Sequence, residues 1–485
     1  MVRDRQTLRA RRLCPTLLAL AALTSCNSVP AYQRPDLQLP PDWFPTQDHQ
    51  ETFLREWWSG FGDANLTELV ERSRTNNLDI RATVQRLLQA QAQMRVARGS
   101  LFPFLTLGGS VERVRKSRDS QSGADGKDDG TSTDGDVETL YRLELAASYE
   151  TDFWGRNRAS VVSAAALTHA TAEDVRTVSI TAETETAVSY ISTCAWNERL
   201  DILRNMLENA NETLAILQSV PGKGVANDLE VHRQKASIAG IEVQIAAVTQ
   251  QSLQEQDKLK VLLGGQTAAL NLECLSFRSL IVPDIPAGIP STILLCRPDV
   301  LAAENRLIAA NADIGTARAA FLPTIDLTAQ RGYESSSLAS LISPSSILYS
   351  ALAGMTAPIF SGGRLRARLA LSEARKAELV ERYRQAALNA YWDAHTTITS
   401  ATQLNMQERA QQTASEEAQI AHHEAQSLLQ KGQIDSLAVL DAQREHLFAR
   451  DAVIDVRLGR LLVAVAFYKA VGGDCRGARI LDNTE

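Results

Sequence analysis

Asp441 and Arg444 stand three residues apart in a stretch whose apolar positions, Leu437, Leu440, Leu447 and Ile454, step at helical intervals. That spacing puts a carboxylate and a guanidinium on one face of a single helical turn. Such a pair in open water contributes well under about 1 kcal/mol, so it gains weight only where an assembly concentrates it. Little else is arranged for chemistry. The seven His residues are scattered, and His422-His423 has no third ligand at useful spacing, so the histidines read as solvated positions on helix faces. The chain has no His-Glu-x-x-His, no Gly-x-Ser-x-Gly and no phosphate loop around Gly222-Lys223-Gly224. It reads as a non-enzyme with no metal site.

Cys26 is the other reactive group. It follows Arg3, Arg5, Arg9, Arg11 and Arg12, an apolar run from Leu13 to Leu23, and the small residues Thr24-Ser25. A basic stretch, then a short apolar stretch, is a secretory signal over 1–25, too short to span as a mature helix. The site resembles a bacterial lipobox, in which the Cys is lipidated and becomes the mature N-terminus, and Asn27 after it points to the outer membrane. A covalent lipid on Cys26 is therefore the one expected prosthetic group, and outer-membrane lipid an expected partner. Cys194, Cys274, Cys296 and Cys475 would meet an oxidising periplasm. Cys274 and Cys296 flank a Pro-rich connector and form the candidate disulfide; the alternative is four small buried residues.

The net charge of −7 with no long basic run argues against a nucleic-acid partner. Aromatics make up only 5%, while Ala, Gln, Leu and Glu abound, a balance that favours long helices. No stretch after the signal approaches the apolar length of a spanning helix, so any membrane crossing must be β.

The chain is an internal duplication. Asn77-Leu78-Asp79-Ile80 through Leu101-Phe102-Pro103 is answered by Arg297-Pro298-Asp299-Val300 through Phe321-Leu322-Pro323, and Leu263-Gly264-Gly265 by Val471-Gly472-Gly473. Lys223-Gly224-Val225-Ala226-Asn227-Asp228-Leu229 is answered by Lys431-Gly432-Gln433-Ile434-Asp435-Ser436-Leu437. The expected segments are a signal over 1–25, an anchored segment over 26–72, a first repeat over 73–275, a connector over 276–296, a second repeat over 297–475 and a tail over 476–485.

Each repeat opens with a helical pattern, 73–98 in the first. The period then changes to two: Leu105, Leu107, Gly109 and Val111 alternate with Thr106, Gly108, Ser110 and Glu112. A Ser-, Gly- and Asp-rich loop over 115–136 follows, which cannot bury apolar surface. The return strand sets Tyr141, Leu143, Leu145, Ala147, Tyr149 and Phe153 against Arg142, Glu144, Ser148, Glu150 and Asp152. Ile325, Leu327 and Ala329, then Ile347, Tyr349, Ala351, Ala353 and Met355, repeat the alternation. Each copy thus supplies one hairpin of strands about ten residues long, enough to cross a bilayer when tilted.

Long helical runs complete each copy. From 159 to 219 the first would extend on the order of 90 Å, with Leu200, Leu203, Leu207, Ala210, Leu214 and Leu217 as a seam. Pro221 and Gly222 end it, and Ile238, Ile241, Ile245 and Val248 carry the seam back. The second copy turns at Lys431-Gly432-Gln433. Four strands alone would leave unpaired backbone groups in hydrocarbon, so the chain must oligomerise. Two copies give eight strands, filled by side chains; three give twelve, wide enough for a wet lumen.

Several motifs carry a family resemblance: Trp57-Trp58-Ser59-Gly60-Phe61-Gly62-Asp63, the strand entries Phe102-Pro103 and Leu322-Pro323, Asp152-Phe153-Trp154-Gly155-Arg156, Pro358-Ile359-Phe360-Ser361-Gly362-Gly363-Arg364, and Leu440-Asp441-Ala442-Gln443-Arg444. Over essentially the whole mature chain the sequence resembles the TolC-like outer-membrane efflux factors, lipoprotein branch. The resemblance implies an α+β membrane protein: a homotrimer with a twelve-stranded β-barrel in the outer membrane and a long α-helical barrel in the periplasm. It further implies a periplasmic adaptor and an inner-membrane RND-type pump as partners in small-molecule or drug efflux. It places Leu437, Asp441 and Arg444 at a periplasmic gate, with three Asp441 carboxylates around one axis. The helix tips, with Gly224, Val225, Asn227, Asp228, Gly432, Asp435 and Ser436, become the adaptor contacts. Pro221 beside the first tip and the Asp-rich loop depart from the family pattern. The rival readings are a type I protein-secretion duct and a periplasmic coiled-coil stalk; the stalk has no use for the alternating strands.

Overall fold

The computed structural model describes residues 28–37, 56–115, 137–219, 228–265, 274, 276–285, 295–431 and 433–472. Eleven helices and strands carry the argument: α1 (Ala64–Asn76), α2 (Leu78–Gly99), β1 (Phe104–Arg115), β2 (Val137–Glu150), α3 (Arg156–Ser219), α4 (Asp228–Leu262), α5 (Pro298–Ala319), β3 (Thr324–Ser335), β4 (Ile347–Thr356), α6 (Arg364–Gln430) and α7 (Ser436–Val471). The duplication is visible in element lengths. Helices α2 and α5 have 22 residues each, α3 and α6 have 64 and 67, and α4 and α7 have 35 and 36. Among the described residues no helix is long and apolar enough to cross a membrane.

The pattern expected to be one helix from residue 73 is broken at Asn77. There ψ turns to 129°, ending α1, and Oδ1 accepts the N–H groups of Asp79 and Ile80, capping α2. The residues divide into two compact units.

The first unit takes in 1–34, 89–168 and 305–380. Its strands form one antiparallel sheet in the order β1-β2-β3-β4. Register keeps the expected parity across all four strands. Leu105 faces Ala147, then Ala329 and Ala351; Leu107 faces Leu145, and Arg331 interrupts that apolar row before Tyr349. The polar parity gives rows such as Ser110–Arg142–Glu334, closed by a 2.5 Å ion pair from Arg142 to Glu334. Strand β2 ends at Glu150, so Phe153, expected in the strand, instead lies in the corner leading to α3. That corner is built by the Asp152-Phe153-Trp154-Gly155-Arg156 motif. Asp152 accepts the N–H groups of Asn157 and Arg158, Trp154 Nε1 donates to Pro323 O at 2.7 Å, and Gly155 takes φ 76°, a left-handed value that favours glycine.

The second unit takes in 35–88, 169–304 and 381–485. The seams expected of the long helices meet: Leu203, Ala210 and Ile241 are buried, with Leu207, Ile238, Ile245, Val248 and Leu447 packed on them. A fully buried Leu or Ile in such a seam contributes about 1.5–3 kcal/mol. Trp57, Trp58 and Phe61 are buried in a short 3-10 turn, where Trp57 stacks on Tyr468 at 5.1 Å. Asp63 caps α1 through Leu66 N and accepts the Tyr190 hydroxyl at 3.0 Å.

Glu183, buried beside Arg74 at 3.0 Å, has its carboxyl pushed up to about 7, chiefly by burial and against the pull of Arg74. Since the folded chain holds a proton that the unfolded chain releases, this contribution to stability is full below the ordinary carboxyl value and fades as pH rises through about 7. Glu183→Gln, which mimics the protonated form, is expected to gain about 1–2 °C more in melting midpoint over the parent at pH 8 than at pH 5. A difference independent of pH would refute the assignment.

The disulfide differs from the expected one. Cys274 is bonded to Cys194 of α3, with Cα atoms 5.2 Å apart, and Cys296 stays outside the bond. The two ends of the connector are held at different places. Near Cys274, Phe277 is buried and Arg278 pairs with Glu198 of α3 at 2.7 Å. Beside Cys296, Arg297 donates to Ala470 O at 3.0 Å and to Asp393 at 3.1 Å.

Candidate functional site

The second helix tip and the first turns of α7 gather most of the expected site residues. The last turn of α6 closes with Lys431 N donating to Ser427 O and Gln433 N to Leu428 O. Asp435 then caps α7, its carboxylate accepting from Ala438 N at 3.1 Å, which leaves Ser436 as the first helical residue. A carboxylate here also faces the positive end of the helix dipole. In the first hairpin Asp228 begins α4, with Glu230 beside it in the first turn. Gly224, Val225, Asn227 and Gly432 lie outside the described residues, as does Cys26.

From that cap α7 splits into two faces. Val439, Gln443 and Ala449 are buried. Leu437, Asp441, Arg444 and Phe448 step by four, three and four along the other side. Arg444 reaches Asp441 at 3.3 Å, with the two side chains 67% and 59% exposed, while Leu437 and Phe448 are 45% and 57% exposed. The protomer thus presents a stripe of apolar, acidic, basic and apolar groups that its own core does not use. Phe448 was missed in the sequence; its place one turn beyond Arg444 is the signal that would have found it. Carried to the first copy by the same alignment, Asp441 and Arg444 correspond to Arg233 and Ala236, so the charge pair belongs to the second copy alone.

Beyond the stripe, α7 is fastened. Arg199 of α3 is buried, donates to Asp451 at 2.6 Å and also to Asp455, and lies over the Trp196 ring at 4.6 Å. The histidines expected on solvated faces are partly otherwise: His422 of α6 and His446 of α7 stack at 5.8 Å. Burial lowers the pKa of both, helped by His423 on the first and by Arg450 and His422 on the second.

The model of the outer membrane efflux protein family matches residues 69–265 and 289–473. The chain belongs to that family. This efflux protein is 35% identical over 465 residues, 95% of its length and 96% of the relative's, to the pyoverdine export outer membrane protein OpmQ of Pseudomonas aeruginosa. Among solved structures it is similar to CusC, with a TM-score of 0.83 and 29% identity over 92% of this chain and 100% of that one. The open state of the MtrE outer membrane channel of Neisseria gonorrhoeae gives a TM-score of 0.82 at 26% identity, covering 93% of this chain and 99% of that one. The efflux protein is accordingly an outer-membrane channel component of an efflux system, and its four strands and paired long helices are the family's fold.

Proposed function

We propose that three copies of the chain close into a lipid-anchored exit duct, passing small molecules delivered by a periplasmic adaptor and an inner-membrane pump to the exterior. The observation that carries this reading is the open sheet. Strands β1 and β4 are both edges, and nearly every residue of both is exposed in the single chain. Such edges are untenable in hydrocarbon and are satisfied if β4 of one copy pairs with β1 of the next, giving twelve strands in three copies. Cys26, after a signal over 1–25, supplies the lipid anchor. The repeats over 73–275 and 297–475 each contribute one strand hairpin and one long helical hairpin.

The tip residues Gly224, Val225, Asn227, Asp228, Gly432, Asp435 and Ser436 meet the adaptor; Leu437, Asp441 and Arg444 form the gate. The similarity to a pyoverdine exporter and to CusC, a cation efflux system protein, supports small solutes over secreted proteins as cargo.

The test is accumulation of a fluorescent efflux dye in cells lacking the gene. The intact chain should restore low accumulation, and Asp228→Lys with Ser436→Lys should lose that restoration while the amount in the outer membrane stays unchanged. Dye handling indifferent to the intact chain would overturn small-molecule efflux and favour protein secretion.

A further inference from the structure

A polar cavity of about 490 Å³ lies where α3, the connector, α6 and α7 come together. Its charges do not balance. On the acidic side stand Glu198 and Glu408. Glu198 is already paired with Arg278. Glu408, buried at 4% exposure, is held by Arg460 and, at 3.5 Å, by Arg457. Against these two carboxylates stand Arg278, Arg450 and Arg457 in the lining and Arg460 behind Glu408. Arg457 spends one terminal nitrogen on the carbonyls of Arg278 and Leu280. Its Nε is buried with no hydrogen-bond partner, as are Nδ1 of His446 and Oε1 of Glu408 in the same lining, the last facing Arg457 only at 3.5 Å.

Arg450 is the residue left over. Among the described residues its side chain has no ion pair or hydrogen bond, and the adjacent Asp451 is taken by Arg199. Burial and the neighbouring Arg278 hold its guanidinium below its ordinary pKa, with Glu198 only partly offsetting them. A half-buried cation whose charge is only partly compensated is costly, and a planar donor fork matches a two-oxygen acceptor. The surplus is of the wrong sign for a metal ion. Ser415, Gln412 and Gln419 add neutral hydrogen-bonding groups to the wall, suited to the remaining oxygens of a polyoxygen ligand.

We propose that this cavity is a binding site for a small oxyanion, carboxylate or phosphate, held chiefly by Arg450 and Arg457. The ligand would tie α7 to the connector, using a positive charge that the protein's own carboxylates leave unmet. The proposed gate residues take no part, so the site stands or falls independently of the efflux reading.

The experiment is the melting midpoint of the full-length protein in detergent, titrated with inorganic phosphate or with citrate against sodium chloride at matched ionic strength. A saturable rise with phosphate or citrate, absent with chloride, is expected. Arg450→Gln should weaken half-saturation by about tenfold or more with a ligand-free midpoint at or above the parent's. Ser415→Leu, which fills the cavity without touching a charge, should do the same and serves if Arg450→Gln yields too little folded protein. A response to phosphate alone identifies an inorganic anion, and a response to citrate alone an organic acid. No saturable rise in the parent, or an equal rise in Arg450→Gln, would overturn the proposal.

Discussion

A full-length channel carrying Asp441→Ala and Arg444→Ser together is expected to show severalfold higher single-channel conductance in planar bilayers than the parent. In one chain the pair is an exposed i,i+3 contact at 3.3 Å, too weak for the fold to depend on. The buried side of α7 is supplied by Val439, Gln443 and Leu447, none of which the substitution touches, so folding should survive. What changes is the stripe from Leu437 to Phe448. Under the proposed threefold closure three such stripes face one axis. Three carboxylates there repel unless cations or the Arg444 guanidinium groups neutralise them, and that pairing holds the helices inward. Ala and Ser remove both the charges and the reach of the side chains, leaving the constriction wider and without its lock. Cation selectivity should fall as well, because the acidic ring is gone. An unchanged closed-state conductance with normal helix content would sink the gate assignment and leave Asp441–Arg444 as a surface pair.

The stripe also marks where sequence reading reaches its limit. Spacing alone puts Asp441 and Arg444 on one face, since one helix fixes the geometry of residues three apart, while their place at a gate is what the family resemblance implies. The four strands are found likewise: Tyr141, Leu143 and Leu145 alternate with charged residues because one face must be apolar, and the pairing of Ala147 with Leu105 and Ala329 preserves that parity. Contacts between elements are different. His422 and His446 meet only because of the register in which α6 and α7 pack. Cys274 finds Cys194 rather than Cys296 because Arg278, Arg457 and buried Phe277 dock that end of the connector beside α3 and α7. Asn77 reads as an ordinary polar helix residue until the backbone turns there and its side chain is seen capping α2. The surplus charge around Arg450 is invisible for the same reason, because it is a sum over four segments distant in sequence.

Gly332→Val is expected to abolish assembly of the channel in the outer membrane, with Gly332→Ala cutting the assembled fraction strongly and Gly108→Ala leaving it near the parent's. Both positions are strand glycines and look alike in the sequence. Their surroundings separate them. A Cβ on Gly108 would meet nothing closer than Glu144 Cγ at 3.8 Å, an ordinary contact, whereas a Cβ on Gly332 would lie 2.2 Å from Leu143 O and 2.7 Å from Glu144 Cα. Those are backbone atoms of the neighbouring strand, so no rotamer change relieves the overlap and β2 must move. Overpacking of this kind costs about 1–3 kcal/mol or more, and its position multiplies the consequence. Gly332 faces Glu144 in the β2–β3 ladder, the one junction that joins the hairpin of the first copy to that of the second in the order β1-β2-β3-β4. Parting those strands creates two new unpaired edges, each exposing backbone groups that hydrocarbon cannot satisfy. Heat-modifiable electrophoretic mobility and protease resistance of the outer-membrane fraction would read this directly. Assembly of Gly332→Val at the parent's level would show that the β2–β3 approach at this row is looser than its geometry implies.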